Sequence, residues 1–274
     1  LERSDSRSAR REVWLYTWVE ERSFAHSGVF QDAYTGRLAD LLEAHRESVR
    51  RFTSVKIPHT LWRRLEPFGS RWAVTAGFLR LADLWRALTT PFRIDDLRRL
   101  SRFQGESYAP LLCREVRREW GLPSYAFYRL FYLGMRRLAH QWRDRMKAVI
   151  YPFENQPWEK LLCLAFREAI PGVRLIGYQH VCVQPLWLSY FPGRSEFKFA
   201  PLPDRVVTNG PLSLALLRDG GYPPALLCDG GALRYERVVA GPSLARSAPS
   251  GDRWRILVGL SIFPLQASAL LRDL

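Results

Sequence analysis

One stretch constrains this chain more than any other: V-I-Y-P-F-E-N-Q-P-W-E-K-L-L-C-L-A-F-R-E-A-I-P-G-V-R-L-I-G-Y-Q-H, from Val149 to His180. The apolar run Val149 to Phe153 ends in Glu154, Asn155 and Gln156. Pro157 then opens a new periodicity, in which Trp158, Leu161, Leu162, Ala165, Phe166 and Ala169 recur at three and four residues. That is the pattern of a buried strand handing over to an amphipathic helix, with proline in the first helical turn, where no N–H is needed. Pro171 and Gly172 stop the helix, and Val173 to Tyr178 is a second apolar run that ends in Gln179 and His180. A strand, helix, strand unit of about 30 residues joins parallel strands by a right-handed crossover. Ligands of such sheets gather at the strand carboxyl ends, where this unit presents Glu154, Asn155 and Gln156 on one strand and Gln179 and His180 on the other.

The rest of the chain reads in the same style. Val13 to Trp18 predicts a buried first strand, Val19 to Ser27 a loop carrying Glu20, Glu21, His26 and Ser27, and Gly28 to His45 a helix. Phe52 to Ile57 predicts a second strand. From about residue 71 to 147 the periodicity is helical: Trp72 to Leu88, Ile94 to Phe103, Tyr108 to Trp120 and Tyr125 to Met146, with breaks at Pro91, Gly105, Gly121 and Pro123. This segment is expected to be a helical insertion, and its last helix sets Arg129, Arg136, Arg137, Arg143 and Arg145 beside an aromatic face. Such a helix packs its apolar side on the domain or lies on a membrane surface. Val181 to Pro203 reads as a long aromatic loop, Arg205 to Asn209 as a strand, and Pro211 to Asp219 as a helix whose N-terminus, behind Thr208, Asn209 and Gly210, is able to face an anion. Residues 1–239 are thus expected to form one α/β domain, residues 240–252 a linker, and residues 253–274 the start of a truncated second domain, with a strand at Trp254 to Leu260 and a helix from Pro264.

Charge and cysteine content narrow the function. The net charge is +14, of which +11 falls in residues 1–147 and +3 in residues 148–274. A basic face suits nucleic acid, anionic head groups or phosphorylated substrates, but no zinc-finger spacing or RNP-type strand accompanies it, so nucleic acid is not expected. Cys113, Cys163, Cys182 and Cys228 lie far apart, with no C-x-x-C pair, and read as buried thiols rather than metal or redox ligands. No run of 18 uncharged apolar residues is present, so a spanning helix is not expected. Walker, G-x-G-x-x-G, H-E-x-x-H and G-x-S-x-G motifs are missing from the sequence, and no metal is expected.

Five strings carry a family resemblance: F-E-N-Q-P-W-E-K (Phe153 to Lys160), L-I-G-Y-Q-H (Leu175 to His180), P-L-P-D-R-V-V-T-N-G (Pro201 to Gly210), G-Y-P (Gly221 to Pro223) and A-L-R-Y (Ala232 to Tyr235). Together they resemble the bacterial surface carbohydrate biosynthesis proteins of O-antigen loci, which are similar to two-domain GT-B glycosyltransferases. Where that family carries an acidic residue before A-L-R-Y, this chain has Gly231, with Asp229 nearby. The resemblance implies a doubly wound, Rossmann-like acceptor-side domain followed by the start of a nucleotide-sugar-binding domain. It implies transfer of a sugar from a nucleotide-activated donor to a lipid-linked glycan acceptor on the cytoplasmic face of the plasma membrane; peripheral contact with an anionic membrane surface is the reading of the basic helix alone. No cofactor is implied, since the nucleotide sugar is the substrate.

Such a transfer needs a base for the acceptor hydroxyl and positive groups for the diphosphate that leaves. Glu154 and His180 are the candidates for base or acceptor positioning; Asn155, Gln156, Gln179, Asn209 and Arg234 are candidates for substrate contacts. Structural readings stand beside these: Glu154 as a cap of the helix that begins near Pro157, and His180 as a buried histidine that fixes its loop. Two other readings of the chain remain open, a non-catalytic binder of carbohydrate or membrane surface, and a basic nucleic-acid binder.

Overall fold

The computed structural model describes residues 11–24, 30–54, 59–65, 69, 71–89, 102–103, 106–120, 122–184, 186–193, 196–236 and 264–272. Two compact units divide the chain, Leu1–Glu236 and Arg237–Leu274. In the first, β1 (Glu12–Tyr16), α1 (Leu38–Ala44), β2 (Ser48–Thr53), α2 (His59–Leu65), β3 (Trp72–Val74) and α3 (Leu81–Thr89) come before a short hairpin of β4 (Arg102–Phe103) and β5 (Glu106–Ser107). There follow α4 (Ala109–Trp120), α5 (Pro123–Trp142), β6 (Met146–Pro152), α6 (Pro157–Ala169), β7 (Arg174–Tyr178), β8 (Arg205–Thr208), α7 (Pro211–Asp219) and β9 (Leu227–Asp229). The described part of the second unit is one helix, α8 (Pro264–Arg272).

Seven strands form one sheet in the order β3-β2-β1-β6-β7-β8-β9, and every pairing is parallel. Parallel strands covered on both faces read as continuous apolar runs, and all five residues of β1 are buried. One face carries Trp14, Tyr16, Phe52, Val149, Tyr151, Leu175 and Val206, packed under Phe131, Met135 and Leu138 of α5, Leu162 and Phe166 of α6, and Leu217 of α7. The opposite face carries Val13, Leu15, Val49, Ile150 and Tyr178, packed with Leu38, Ala39 and Leu42 of α1. Helices on both faces make the fold a doubly wound, Rossmann-like α/β sheet. Its strand order reverses between β1 and β6, and the crevice outside the carboxyl ends at such a reversal is where ligands bind in this architecture.

The central strand, helix, strand unit forms as its sequence predicts, with β6 and β7 adjacent and in register from Ala148–Arg174 to Pro152–Tyr178. Other expectations shift. Trp72–Val74 is not the start of a helix but the edge strand of the sheet, paired with Arg51–Thr53, and a 3-10 turn at Thr75–Phe78 separates it from α3. Gly134 of α5 explains part of this geometry: a Cβ there would lie 3.0 Å from the Thr75 carbonyl oxygen, so α5 packs directly on that turn. The predicted second strand lies earlier, at Ser48–Thr53, where Arg50 pairs with Glu12 of β1 at 2.9 Å. The helix expected from Gly28 is confined to Leu38–Ala44, because Asp32 takes the N–H groups of Tyr34 and Thr35 at 2.8 and 2.9 Å and Gly36 adopts a φ of +56°. The helix expected to run to Met146 stops at Trp142, and Met146 already belongs to β6. Cys182 and Cys228 are exposed rather than buried, while Cys113 and Cys163 are buried as expected. The expected linker at 240–252, the strand at Trp254 to Leu260, most of the helix at Ile94 to Phe103, and His26 and Ser27 lie outside the described residues.

Candidate active site

The turn after β6 is built by a carboxylate that holds three successive amides. Asn155 sits in the left-handed region at φ +56°, a conformation asparagine tolerates, and this aims the N–H groups of Glu154, Asn155 and Gln156 at one point. Glu159 fills that point: Oε1 accepts from Glu154 at 2.9 Å and from Gln156 at 3.1 Å, and Oε2 accepts from Asn155 at 2.9 Å. Gln156 is the N-cap, Pro157 follows it, and Glu159 closes a capping box from the third helical position. Burial pushes the Glu159 carboxyl well above the usual carboxylate range, against the pull of its three N–H donors. The N-terminus of α6 is therefore occupied by the chain's own acid and is closed to an external anion.

With the helix capped by Glu159, the Glu154 side chain is free to turn toward β7. Its Oε1 lies 3.5 Å from Nε2 of His180, at the ends of adjacent strands. His180 is 2% exposed, and its Nδ1 finds no hydrogen-bond partner among the described residues. Burial, then the positive charges of Arg234 and Arg22, push the His180 pKa down to about 4, so the imidazole is neutral at pH 7. Burial raises the Glu154 carboxyl above its ordinary value, with Arg234 pulling the other way. Of the pair only Glu154 keeps appreciable solvent access, its side chain being 22% exposed. The site thus sets a neutral imidazole 3.5 Å from a carboxyl whose affinity for a proton burial has increased.

The loop after β1 closes the other side of the crevice. Trp18 stands 6.0 Å from the His180 ring and 5.1 Å from Trp158, and Tyr34 packs edge-on against His180 at 5.2 Å. The Tyr34 hydroxyl donates to Glu20 and accepts from Nη2 of Arg22 at 2.8 Å, and Arg22 also pairs with Glu20. Burial, reinforced by Glu20, raises the Tyr34 phenol to about 12. Arg234 lies over the Tyr34 ring at 6.0 Å. Its loop is pinned by Tyr178 of β7, whose hydroxyl donates to the Gly231 carbonyl at 2.9 Å and accepts from the Leu233 N–H at 3.0 Å. The positive charge of Arg234 acts on both Glu154 and His180.

The structure thus brings Glu154, His180 and Arg234 together. The other four candidates spend their polar groups on the protein. Asn155 donates from Nδ2 to the Ser189 carbonyl at 2.7 Å, tying down the aromatic loop, and Gln156 caps α6. Gln179 is buried, accepts from the Asn209 N–H at 3.0 Å and donates to the Val181 carbonyl. Asn209 donates to Val181 at 3.3 Å and accepts from Ser213 at 2.6 Å, while no side chain caps the N-terminus of α7 behind it. Of the residues in the β1 loop, Glu20 reaches the site, and Glu21 pairs instead with Arg64 at 3.0 Å. Trp18, Arg22, Tyr34 and Glu159 were not among the predicted site residues. Glu159 was the most accessible of them to sequence reasoning, since Q-P-W-E is a capping-box spacing.

A cavity of about 500 Å³ at the opposite, amino end of β8 and β9 is lined by Phe197, Pro201, Asp204, Arg205 and Leu226. Asp204 there is already held by Arg167 at 2.8 Å and by the Leu175 N–H at 2.7 Å. Comparison with profiles of known protein families, with characterised proteins and with solved structures found no match to this chain.

Proposed function

We propose that this chain is a glycosyltransferase-like protein of bacterial surface-polysaccharide or O-antigen biosynthesis, GT-B-like in architecture, that moves a sugar from a nucleotide-activated donor to a lipid-linked glycan acceptor. The observation that carries the reading is the Glu154–His180 contact beside Arg234, at the carboxyl ends of β6 and β7 and next to the β1–β6 reversal of strand order. In this reading Glu154 takes the proton of the acceptor hydroxyl as its oxygen bonds to the anomeric carbon. The bond from that carbon to the diphosphate oxygen breaks, and the nucleoside diphosphate leaves with the electron pair. His180 orients Glu154. Arg234 offsets the charge that develops on the leaving group. Trp18 and Trp158, both partly exposed, supply aromatic surface of the kind sugar rings lie against.

The test, run on the full-length gene product because residues 253–274 are expected to supply only the start of the donor-binding domain, is a thermal-shift titration with uridine, guanosine, cytidine and thymidine diphosphate sugars, followed by a transfer assay with the donor that stabilises the protein. Glu154→Gln is expected to leave donor stabilisation intact and to lower turnover about 100-fold or more, the scale of a general base. Wild-type turnover is expected to rise with pH through an inflection above that of an ordinary glutamate, because the base acts deprotonated and burial raises its pKa. If no nucleotide sugar stabilises the protein while free glycans do, the aromatic surface is a binding site without transfer chemistry.

A further inference from the structure

Helix α3 is built with its apolar side outward. Leu81, Leu84, Trp85 and Leu88 recur at three and four residues, the spacing of one helix face, and they are 85%, 44%, 70% and 67% exposed. The side turned to the protein carries Asp83 and Ala87, both buried. Asp83 is gripped by Arg137 of α5 through two parallel bonds, Nε to Oδ2 at 2.8 Å and Nη2 to Oδ1 at 2.7 Å. It also accepts the Arg80 N–H at 2.8 Å. Left to hydrophobicity alone, a helix of this sequence would roll its leucines and tryptophan inward. The two-pronged pair fixes the opposite roll, because turning the helix would strand a buried carboxylate without its guanidinium.

We propose that this outward stripe is a docking surface for an anionic lipid bilayer. Charge complementarity selects that partner. Arg80 and Arg86 flank the stripe and are exposed, the one acid of α3 is the buried Asp83, and the half of the chain that contains the helix carries +11 of the net +14 charge. Helix α4, which packs like α3 against α5, exposes Leu111 and Leu112 together with Arg117, while Arg114 and Arg118 pair with Glu115. Leucine and tryptophan on one face beside arginine is the composition of a helix lying in the plane of the head groups, its apolar side at the acyl boundary. Among the described residues no helix is long and apolar enough to cross a membrane, so the contact is at the surface. The basic helix that the sequence pointed to for this role, α5, buries Phe131, Met135 and Leu138 against the domain and commits Arg137 to Asp83. This inference rests on α3 alone and not on the transfer reading.

The experiment is flotation of the intact protein with vesicles of phosphatidylcholine mixed with phosphatidylglycerol, and with vesicles of phosphatidylcholine alone. Binding to the mixed vesicles is expected, weakened by salt. The Leu84→Ser/Leu88→Ser variant is expected to bind about tenfold more weakly or worse, and Arg86→Glu several-fold more weakly. These positions are exposed, so urea denaturation should show each variant folded as the wild type is. Absence of vesicle binding, or binding that neither variant changes, overturns the proposal. So does a wild-type dimer in sedimentation that Leu84→Ser/Leu88→Ser converts to monomer, since the stripe would then be a self-association face.

Discussion

Replacing Glu159 tests whether the site rests on the amide turn after β6. In Glu159→Ala the N–H groups of Glu154, Asn155 and Gln156 lose acceptors at 2.9, 2.9 and 3.1 Å. The Asn155 amide belongs to a buried residue, so it bears the cost of an unsatisfied donor, about 1–3 kcal/mol. The other two residues are partly buried and regain water, losing about 0.5–1 kcal/mol each, so the expected total is about 2–5 kcal/mol. Glu159→Gln separates the contributions. Its carbonyl oxygen can take the place of Oε1 and keep the bonds from Glu154 and Gln156, while its NH2 meets the Asn155 N–H donor to donor. The cost should then fall to about 2 kcal/mol, chiefly the single unsatisfied amide. Urea denaturation followed by tryptophan fluorescence reads both as shifts in midpoint at unchanged slope. An alanine variant within about 0.5 kcal/mol of wild type, or a glutamine variant as costly as the alanine, would refute the argument that this carboxylate organises the turn.

Two further outcomes follow from the same geometry. The His180 pKa of about 4 in the fold, against 6.5 for a free imidazole, means that the unfolded chain binds the extra proton first as pH falls. The corresponding stability is complete above pH 6.5, is lost progressively down to about pH 4, and amounts to about 3 kcal/mol; His180→Asn should flatten that limb of a stability–pH curve, and an unchanged limb would assign it elsewhere. Gly36 has a φ of +56°, and a Cβ there would lie 2.6 Å from the carbonyl oxygen of Leu233, beside Arg234. Gly36→Ala should cost about 2 kcal/mol and raise amide exchange in the 232–235 loop, whereas unaltered exchange would mean that the Gly36 turn does not support Arg234.

How far the sequence reveals this protein depends on whether a feature is written locally. The β6–α6–β7 unit is legible because each boundary has its own chemistry: an apolar run, a proline at the first helical position, and Pro171 with Gly172 at the stop. Glu154 and His180 follow from it, since strand ends in parallel sheets face one side. Strand β3 is not legible, because three residues, Trp72–Val74, merge into the helical spacing that follows, and only pairing with Arg51–Thr53 identifies them. Tyr34 is harder still, because an Asp32 turn places it and Trp18 and His180 position its ring from other parts of the chain.

Helix α3 shows where periodicity itself misleads. Spacing reports that Leu81, Leu84, Trp85 and Leu88 share a face, but it is silent on which way that face turns. The deciding contact is Asp83 with Arg137, a pair 54 positions apart, which outweighs a hydrophobic stripe because the Asp83 carboxylate is buried and both its oxygens are bound. The same logic governs Glu159. A buried acid that satisfies three amides frees its neighbour Glu154 from capping, so the carboxylate the sequence offers as a cap becomes the one that meets His180.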